Sequence, residues 1–507
     1  MKIKGEVYLI GAGPGDPGLI TIKGKECLEK ADVVVYDYLV NSKLLAYAKE
    51  DTEIIYAGKR KGNTEMPQEF INQLLVRKAK EGKIVARLKG GDPFIFGRGG
   101  EEAEALFEAG ISFEIVNGVT SAFAVPAYAG IPLTHRDFTS SFAVVTGHED
   151  PTKEKSALPW EALSKIGTIV FLMGATRIEE NMKKLIEHGK PPGTPAAFIA
   201  WGTLPTQKTV IGTIGEIWKI VKEQNMRPPA VIVVGEVVRL REVLNWFETK
   251  PLFGKKIVVT RARSQASELT KLLEEQGAEV IEFPTIEIVP PASWKGMDRS
   301  INNLSTYDWI IFTSANGVHF FSERLKSNGK DVRELKGIKI ATIGEQTANA
   351  VEKIGLRVDI VPDEYRAEGL IESFKKIDVK GKRFLIPRAK EAREVLPQEL
   401  QKMGAVVHVV KAYETKKPAI EKLKKIKEML KRGEIDVVTF ASSSTVKNFI
   451  SALGKDNKLL LNSTIACIGP ITAQPLKKIE IEPEIICNKY TIEELVREIV
   501  GYFGQNA

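Results

Sequence analysis

The segment Gly11–Gly18, written GAGPGDPG, has the residue types of a ligand-binding loop. It follows the apolar run VYLI and precedes a helix-like segment, which is how a dinucleotide-binding unit begins when its glycines follow the pattern G-x-G-x-x-G. Gly11 and Gly13 fit that pattern, but Asp16 occupies the third glycine position and would place a carboxylate against a pyrophosphate. Pro14 also lacks the backbone N–H that such a loop offers to phosphate. The loop is therefore a poor phosphate site. The loop is compatible with a ligand that is neutral or positively charged next to it. The alternative is a tight turn that binds no ligand.

The second half of the chain has four loops in which hydroxyl groups follow a strand candidate. Loops of this kind present backbone N–H groups and hydroxyls to an anion. The alternative is that the serines and threonines cap the helices that follow. Both interpretations stay open for the four segments, which are TSANG (313–317), IGEQTA (343–348), ASSST (441–445) and IGPITA (468–473).

The elements that must position these loops alternate between apolar strand candidates and amphipathic helix candidates, which is typical of an α/β protein. A short Pro/Gly segment, PLFGKK (251–256), predicts a domain boundary near residue 250. The run from Val116 to Arg136 is a candidate hinge between two lobes of the first half.

The second half repeats itself at a nearly constant offset, which predicts two similar α/β lobes with a ligand cleft between them. The aligned pairs are KKIVVTRA (255–262) with KRFLIPRA (382–389), DWIIFTSANGVHFF (308–321) with DVVTFASSSTVKNF (436–449), and ATIGEQTANAV (341–351) with ACIGPITAQPL (466–476).

The charge of the chain is modestly basic, with 73 basic and 65 acidic residues and a formal net charge of +8. The basic residues do not form a stripe interleaved with aromatics, so a nucleic-acid partner is disfavoured, whereas an anionic substrate is compatible with the excess. The densest run (422–434) carries Leu423, Ile426 and Leu430 at helical spacing, which predicts an amphipathic helix with a solvated lysine face.

The three cysteines and five histidines are scattered along the chain, which predicts neither a metal site nor a disulfide framework. The apolar run near the N-terminus is too short for a signal peptide, and no stretch reaches the length of a membrane span. These features predict a cytoplasmic protein without a membrane partner.

Six separated motifs follow one another in the first half of the chain. They are GAGPGD (11–16), VVYDYLV (34–40), AGKRKG (57–62), RLKGGDPFIFGRGGEE (87–102), NGVTSAFAVPAYAGIPLTHR (117–136) and VTGH (145–148). In this order they resemble the S-adenosylmethionine-dependent tetrapyrrole methylases, and among them the uroporphyrinogen-III C-methyltransferases. The resemblance covers about residues 3–247 and implies a two-lobed methylase fold in a domain of residues 1–247. Asn117 departs from the family, which usually has proline there, and we expect little effect from a turn position.

The resemblance implies S-adenosylmethionine as methyl donor. This molecule carries a sulfonium cation and no phosphate, so a loop with Pro14 and Asp16 is compatible with it. Asp92 is expected to accept hydrogen bonds from its ribose or amino group, while for Met173 packing in the core is an alternative. The implied cofactor contacts are Pro14, Gly91, Asp92, Ile95, Thr120, Ser121, Met173 and Gly202.

The resemblance also assigns acid–base roles to Asp37 and Lys59, which both follow strand candidates. A helix cap for Asp37 and a solvated side chain for Lys59 are the alternatives. Because the substrate is rich in carboxylates, cations in the motif loops are its expected partners. These cations are Arg87, Lys89, Arg98 and Arg136.

Residues 253–507 resemble the uroporphyrinogen-III synthases, although the motifs of that family are less specific. The resemblance implies one lobe of 253–287 with 414–507, another of 291–410, and a two-stranded connection between them. It implies closure of hydroxymethylbilane with loss of water and inversion of ring D, without a cofactor. Tyr413 matches a proposed proton donor, with a core aromatic as the alternative. The expected substrate contacts are Thr313, Ser314, Thr347, Ser442 and Thr472.

The leading hypothesis is therefore a bifunctional tetrapyrrole enzyme that makes uroporphyrinogen III and methylates it to precorrin-2, and it is expected to be a homodimer through the methylase domain. One alternative joins the methyltransferase to a non-catalytic two-lobed module that binds an anion. A dinucleotide oxidoreductase is the other, and Pro14, Asp16 and the second GGDP loop argue against it.

Overall fold

The computed structural model describes residues 5–58, 66–148, 157–260, 263–362, 367–389, 394–416 and 420–504. The chain divides into two compact units. One comprises the residues up to Lys256 with Leu272–Glu279 and Val500–Ala507, and the other comprises Ile257–Lys271 and Val280–Ile499. The domain limits predicted above, 1–247 and 253–507, stay a prediction.

The first sheet of the first unit consists of five parallel strands, β1 (Glu6–Gly11), β2 (Val33–Tyr36), β3 (Glu53–Tyr56), β4 (Ile84–Lys89) and β5 (Ser112–Val116). Their order in the sheet is β3-β2-β4-β1-β5. Apolar clusters cover both faces of this sheet, as parallel sheets require. The helices of this part are α1 (Ile22–Lys30), α2 (Gln68–Lys80) and α3 (Gly99–Glu108).

The second sheet of the first unit is mixed. Its strands are β6 (Phe142–Thr146), β7 (Thr168–Leu172), β8 (Pro195–Ala200), β9 (Lys208–Thr213) and β10 (Ala230–Val234), in the order β6-β7-β10-β8-β9. Only the β6–β7 pair is parallel among these neighbours. Its helices are α4 (Ser121–Tyr128), α5 (Trp160–Lys165), α6 (Ile178–Glu187), α7 (Ile217–Glu223) and α8 (Arg241–Leu244).

The run predicted as a hinge, residues 116–136, connects the two sheets, but its middle part is the helix α4. Ala122 and Val125 of this helix are buried in an apolar cluster with Val170 and Ala197 of the second sheet. The segment is therefore part of the core of the second sheet.

Three glycine loops meet at the carboxyl edge of the first sheet, after the neighbouring strands β4, β1 and β5. A Cβ added to Gly11 would stand 2.4 Å from the Gly118 Cα, and one added to Gly118 would stand 2.3 Å from the Gly91 carbonyl oxygen. Gly91 also donates its N–H to the Gly13 carbonyl at 2.9 Å, and both of these residues have positive φ. These positions require glycine because the loops touch backbone to backbone.

Among the residues that the structure describes, the remaining strands form two further sheets. These strands are β11 (Lys256–Val259), β12 (Glu279–Glu282), β13 (Glu287–Val289), β14 (Trp309–Phe312), β15 (Lys339–Thr342), β16 (Arg383–Ala389), β17 (Val406–Lys416), β18 (Val437–Phe440), β19 (Thr464–Cys467) and β20 (Ile485–Ile486). One sheet has the order β12-β11-β18-β19-β20, and the other has the order β13-β17-β16-β14-β15.

The two sheets confirm the duplication predicted from the sequence. Ile257 pairs with Val437 in one sheet, and the aligned residues Phe384 and Trp309 pair in the other. Val437 in turn pairs with Thr464, just as Trp309 pairs with Lys339. The four strands that the copies share therefore have the same order, β12-β11-β18-β19 in one sheet and β17-β16-β14-β15 in the other, with the same register at these aligned pairs.

The predicted two-stranded connection is also present, since β13 pairs antiparallel with the end of β17, with Glu287 opposite Lys416. The fold class predicted from the sequence is confirmed. The lysine-rich segment forms the helix Ile420–Lys431, with Ile426 and Leu430 buried, as its spacing predicted.

The remaining helices of the chain are α9 (Arg263–Glu275), α10 (Lys295–Asn302), α11 (Ala315–Ser327), α12 (Glu345–Lys353), α13 (Ala367–Lys375), α14 (Val395–Lys402), α15 (Ile420–Lys431), α16 (Ser443–Leu453), α17 (Pro470–Lys477) and α18 (Ile492–Gly504). Short 3-10 segments lie at Pro17–Leu19, Ser42–Tyr47, Ala175–Arg177, Glu236–Leu240, Leu304–Thr306, Val332–Leu335 and Gly454–Asn462. Among the described residues, every helix is too short or too polar to cross a membrane.

Replacing Gly118 with alanine should destabilise the first unit, because the added Cβ would collide with the Gly91 carbonyl oxygen. Overpacking of this kind costs about 1–3 kcal/mol. Gly100 is the matched control, since an added Cβ meets no atom within 4 Å there and alanine favours the helix α3. Thermal unfolding of the whole chain measures both effects. An unchanged Tm for Gly118→Ala would contradict the close packing of the three loops.

Candidate active site

A cavity of about 650 Å³ extends from the carboxyl edge of the first sheet to the second sheet of the same unit. The loops after β1, β2 and β4 supply one side of its lining, and β7 and β8 with their following loops, together with the start of β10 and the two prolines before it, supply the other. Six of the eight predicted cofactor residues line this cavity, namely Pro14, Gly91, Ile95, Ser121, Met173 and Gly202.

Asp92 is buried behind the lining and its carboxylate is used within the fold. Oδ1 accepts a hydrogen bond from the Phe94 N–H at 2.8 Å. Oδ2 accepts from the Gly118 N–H at 3.0 Å and from the Asn117 amide at 3.1 Å. The carboxylate thus fastens the loop after β5 to the loop after β4. The unusual Asn117 supplies one of these bonds, and recognition of a ribose by Asp92 stays a prediction.

Thr120, the other predicted cofactor residue outside the lining, is buried at the N-terminus of α4. Its hydroxyl accepts a hydrogen bond from the Ala122 N–H at 3.3 Å and so caps the helix. Ser121, the first residue of that helix, is the one that reaches the cavity.

The carboxylate of Asp16 has partners inside the glycine loop region. Oδ1 accepts from the Gly18 N–H at 2.7 Å, and Oδ2 accepts from the Tyr128 hydroxyl at 2.7 Å. Burial and this hydrogen bond raise the pKa of Tyr128, so the tyrosine remains a donor. Asp16 therefore closes the turn at Pro17 and ties it to Tyr128 of α4.

Met173 lies in the cavity lining with 52% of its surface exposed, so the alternative of core packing is wrong. Its backbone has a φ of +56°, and two further lining residues, Phe96 and Trp201, have φ values of +54° and +52°. Non-glycine residues rarely adopt this conformation, and such strain concentrates at functional sites.

Asp37 begins the loop after β2 and belongs to a cluster of four charged side chains. Arg87 on β4 places one guanidinium nitrogen 2.7 Å from Asp37 Oδ1 and its Nε 3.0 Å from Glu102 Oε1. Lys89, also on β4, places its Nζ 2.7 Å from the same Glu102 oxygen. The side chains of Arg87 and Glu102 are 2% and 0% exposed, whereas that of Asp37 is 30% exposed. Asp37 is therefore the member of this cluster that reaches solvent.

The burial of this cluster shifts the pKa values of its members. Burial alone would raise the pKa of Glu102, but Arg87 and Lys89 outweigh it and hold that pKa below its ordinary value. Burial and repulsion by Arg87 lower the pKa of Lys89 despite the attraction of Glu102. Glu102 is thus an ionised carboxylate that balances buried positive charge.

The four cations expected to bind substrate occupy different environments. Arg87 and Lys89 are buried against Glu102, and this placement does not support direct contact with a substrate. Arg98 is exposed and pairs with Glu101 at the start of α3. Arg136 is exposed in a turn that follows α4. Lys59 lies outside the described residues.

In the second unit, the structure brings two predicted residues together. Tyr413 on β17 is only 8% exposed, and its hydroxyl lies 2.9 Å from Ser314 Oγ. Its ring stacks on Phe320 with a centroid separation of 5.9 Å. The alternative of a core aromatic is thus correct for the ring of Tyr413. The hydroxyl of Tyr413, however, lies at the loop that precedes α11.

The other hydroxyl groups divide into two kinds. Ser314 and Ser442 cap α11 and α16, accepting from the Gly317 N–H at 3.1 Å and the Thr445 N–H at 3.3 Å. The capping alternative therefore holds for both serines. Thr347 and Thr472 are buried inside α12 and α17, and Thr313 is half-buried beside Ser314. Their contact with a substrate stays a prediction.

Sequence reasoning missed the aromatic lining and the buried carboxylate. Tyr38 and Trp201 both line the cavity, with ring centroids 6.5 Å apart and an edge-on arrangement. The sequence does contain a signal for Glu102. Arg87 and Lys89 stand at alternate positions of one strand, so their side chains point to the same side of the sheet. Once these cations are buried, they need an anion as partner.

A parallel sheet with glycine loops at its carboxyl edge, facing an apolar cavity, is the architecture of an α/β enzyme that binds a small organic cofactor. Residues 6–217 match the family model of the Tetrapyrrole (Corrin/Porphyrin) Methylases. Residues 267–497 match that of Uroporphyrinogen-III synthase HemD. Among the described residues, no group of His, Cys, Asp or Glu side chains is placed to hold a metal ion.

Two sequence relatives agree with these matches. The porphyrin biosynthesis protein HemD of Ruminiclostridium josui is 40% identical over 503 residues, which cover 99% of each chain. The S-adenosyl-L-methionine-dependent uroporphyrinogen III methyltransferase of Methanosarcina barkeri is 52% identical over 241 residues, 47% of this chain and 94% of that one. The crystal structure of uroporphyrin-III C-methyl transferase from Thermus thermophilus with S-adenyl homocysteine is 40% identical, covers 46% of this chain and 99% of that one, and has a TM-score of 0.40. This chain belongs to the family that joins a tetrapyrrole methylase to a uroporphyrinogen-III synthase.

Replacing Glu102 with glutamine should destabilise the chain by about 3–5 kcal/mol, because it leaves buried cations without their counter-charge. Glu101→Gln is the matched control. Glu101 is 50% exposed, and its pair with Arg98 should contribute less than about 1 kcal/mol. Urea unfolding compares the two variants.

The pH dependence of stability gives a second measurement of the same cluster. The folded-state pKa of Glu102 is below its ordinary value of 4.5, so its stabilisation is fully present above that value and is lost as the pH falls below it. Glu102→Gln should remove this part of the acid dependence. Equal unfolding midpoints for wild type and Glu102→Gln would contradict the role of Glu102.

Proposed function

We propose that this chain is a bifunctional enzyme of tetrapyrrole biosynthesis. Its second half converts hydroxymethylbilane to uroporphyrinogen III, and its first half methylates that product twice to precorrin-2, on the route to sirohaem and cobalamin. The observation that carries the proposal is the cavity of the first unit, which unites six of the eight predicted cofactor residues. The full-length relative supports the presence of both domains in one chain.

The lining of the cavity suits S-adenosylmethionine. Glycine backbone, aliphatic side chains and the rings of Tyr38 and Trp201 contribute to it, and among the lining residues that the structure describes there is no lysine or arginine. A cation is attracted to aromatic faces and repelled by like charge, so a sulfonium fits this lining better than a pyrophosphate. When bound, the donor supplies an electrophilic methyl group. Pro14, Gly91, Ile95, Ser121, Met173 and Gly202 are the proposed contacts.

Asp37 is the proposed acid–base residue of the first half. An electron-rich pyrrole that accepts a methyl group becomes a cation and regains neutrality by losing a proton. The Asp37 carboxylate, at the start of a cavity-lining loop, is the proposed acceptor of that proton. Arg87 holds Asp37 Oδ1 at 2.7 Å and so fixes the orientation of the carboxylate. The exposed Arg98 and Arg136 are the proposed partners of substrate carboxylates.

Tyr413 is the proposed proton donor of the second half. Closure of hydroxymethylbilane expels a hydroxyl group, which leaves as water once it gains a proton. Ser314 Oγ, 2.9 Å from the Tyr413 hydroxyl, fixes the position of that hydroxyl. No cofactor takes part in this proposal.

A reducing cytoplasmic location and a homodimer formed through the methylase domain complete the proposal. All three cysteines, Cys27, Cys467 and Cys487, are free and buried, which suits a reducing compartment.

Incubation of the whole chain with hydroxymethylbilane tests both activities. Without S-adenosylmethionine the expected product is uroporphyrinogen III, and with it the expected product carries two more methyl groups by mass. Hydroxymethylbilane closes spontaneously to isomer I, so isomer I alone would overturn the proposal for the second half. Isomer III that is never methylated would overturn the proposal for the first half.

Two substitutions should separate the activities. Asp37→Asn, which keeps an acceptor for Arg87, should lower methylation by about a hundredfold or more and leave formation of isomer III intact. Tyr413→Phe should slow cyclisation and raise the share of isomer I, while methylation of supplied uroporphyrinogen III stays normal. Chromatography of the isomers with mass analysis gives both readouts. Loss of both activities in either variant would contradict this division of roles.

A further inference from the structure

Two loops that line the cavity, one from each sheet of the first unit, are joined by a single threonine. Pro14 and Gly15 follow β1, whereas Trp201 and Gly202 follow β8. Thr203 reaches across, donating its hydroxyl to the Pro14 carbonyl and accepting the Asp16 N–H at 3.0 Å. Because Thr203 is only 2% exposed, water does not easily replace either bond.

The backbone of Thr203 is held in an unfavourable conformation to make these contacts. Its φ is +69°, a region that β-branched residues rarely occupy. The Thr203 N–H donates to Gln207 Oε1 at 2.8 Å, and Gln207 Nε2 donates to Glu248 Oε1 at 2.7 Å. A buried polar chain thus holds the strained residue, which is how strain persists at functional sites.

The glycine loop is shaped to receive this hydroxyl. A Cβ on Gly15 would lie 2.6 Å from Thr203 Oγ1, so glycine at this position leaves the space that the threonine occupies. Pro14 supplies the acceptor through its carbonyl, and Asp16 supplies the donor through its N–H. The sequence Pro-Gly-Asp therefore matches Thr203 at three consecutive residues.

We propose that Thr203 is a positioning residue for the methyl donor. Its hydroxyl connects the loop after β1 to the loop after β8, and we call this connection the latch. The latch keeps Pro14 and Gly202 at the separation that the bound donor requires. The inference rests on the proposed function for the identity of the ligand, but the latch itself is a property of the unliganded chain.

Calorimetric binding of S-adenosylhomocysteine to the whole chain, with amide exchange at Asp16 in the unliganded chain, tests the latch. Thr203→Val keeps the shape but has no hydroxyl, so it should weaken binding by about tenfold or more, equivalent to about 1.4 kcal/mol, and speed exchange at Asp16. Thr203→Ser restores the hydroxyl and should stay within about threefold of wild type.

Thr209→Val is the matched control. Thr209 donates its hydroxyl to Glu248 Oε1 at 2.6 Å, in the same polar network but without contact to the loop after β1. Its loss should lower stability and leave binding and Asp16 exchange unchanged. Normal binding by Thr203→Val, or equal weakening by Thr209→Val, would overturn the latch.

Failure of the proposed function has a different signature. If the wild type does not bind S-adenosylhomocysteine, the identity of the ligand is wrong, while Asp16 exchange in Thr203→Val still decides on the latch. If Thr203→Val does not fold, Thr203→Ala replaces it, because this change also removes the hydroxyl and no longer holds a β-branched side chain at a φ of +69°. Normal exchange at Asp16 in that variant would count against the proposal.

Discussion

Direct backbone contact between three loops is the constraint on which the cavity of the first unit depends. Gly11, Gly91 and Gly118 end or follow neighbouring strands, and a Cβ at Gly11 or Gly118 would come within 2.4 Å of another backbone atom. A glycine pattern that resembles a phosphate loop therefore has another cause, which is the close approach of backbones. Pro14 and Asp16, which weaken the loop as a phosphate site, bind Thr203, Gly18 and Tyr128 and give the cavity wall its shape.

The charged cluster behind this wall affects both the stability of the fold and the proposed methylation reaction. Arg87 and Lys89 are buried cations, and Glu102 is the buried carboxylate that both of them contact. Asp37 completes the balance as a second carboxylate on Arg87 and is also the proposed acid–base residue. A substitution that removes its charge thus disturbs the electrostatics of the fold together with the reaction. Glutamine and asparagine variants are better probes of this cluster than alanine, because they keep hydrogen-bonding atoms in place.

The two copies of the duplicated sheet in the second unit share a backbone arrangement but differ in the side-chain contacts of one loop. The order of the four shared strands, the register of their aligned pairs and the serine cap of the following helix are the same in both copies. In one copy the capping serine, Ser314, contacts the Tyr413 hydroxyl, whereas Ser442 in the other copy contacts Ser444 in its own turn. Shared features therefore reflect the requirements of a strand-to-helix turn, and the tyrosine contact marks where the copies differ.

The sequence by itself determined the α/β class, the duplication, the amphipathic helix Ile420–Lys431 and six residues of the cavity lining, because these depend on local periodicity and on residues within a motif. The tertiary structure alone decided which charges are buried. Arg87 and Lys89 looked like substrate-binding cations, but Glu102, on a different element, holds them inside the fold. Thr203 had no signal at all, since its partner Pro14 is 189 residues away in the chain. Burial and long-range pairing depend on how the elements pack, and a linear pattern carries that information only indirectly.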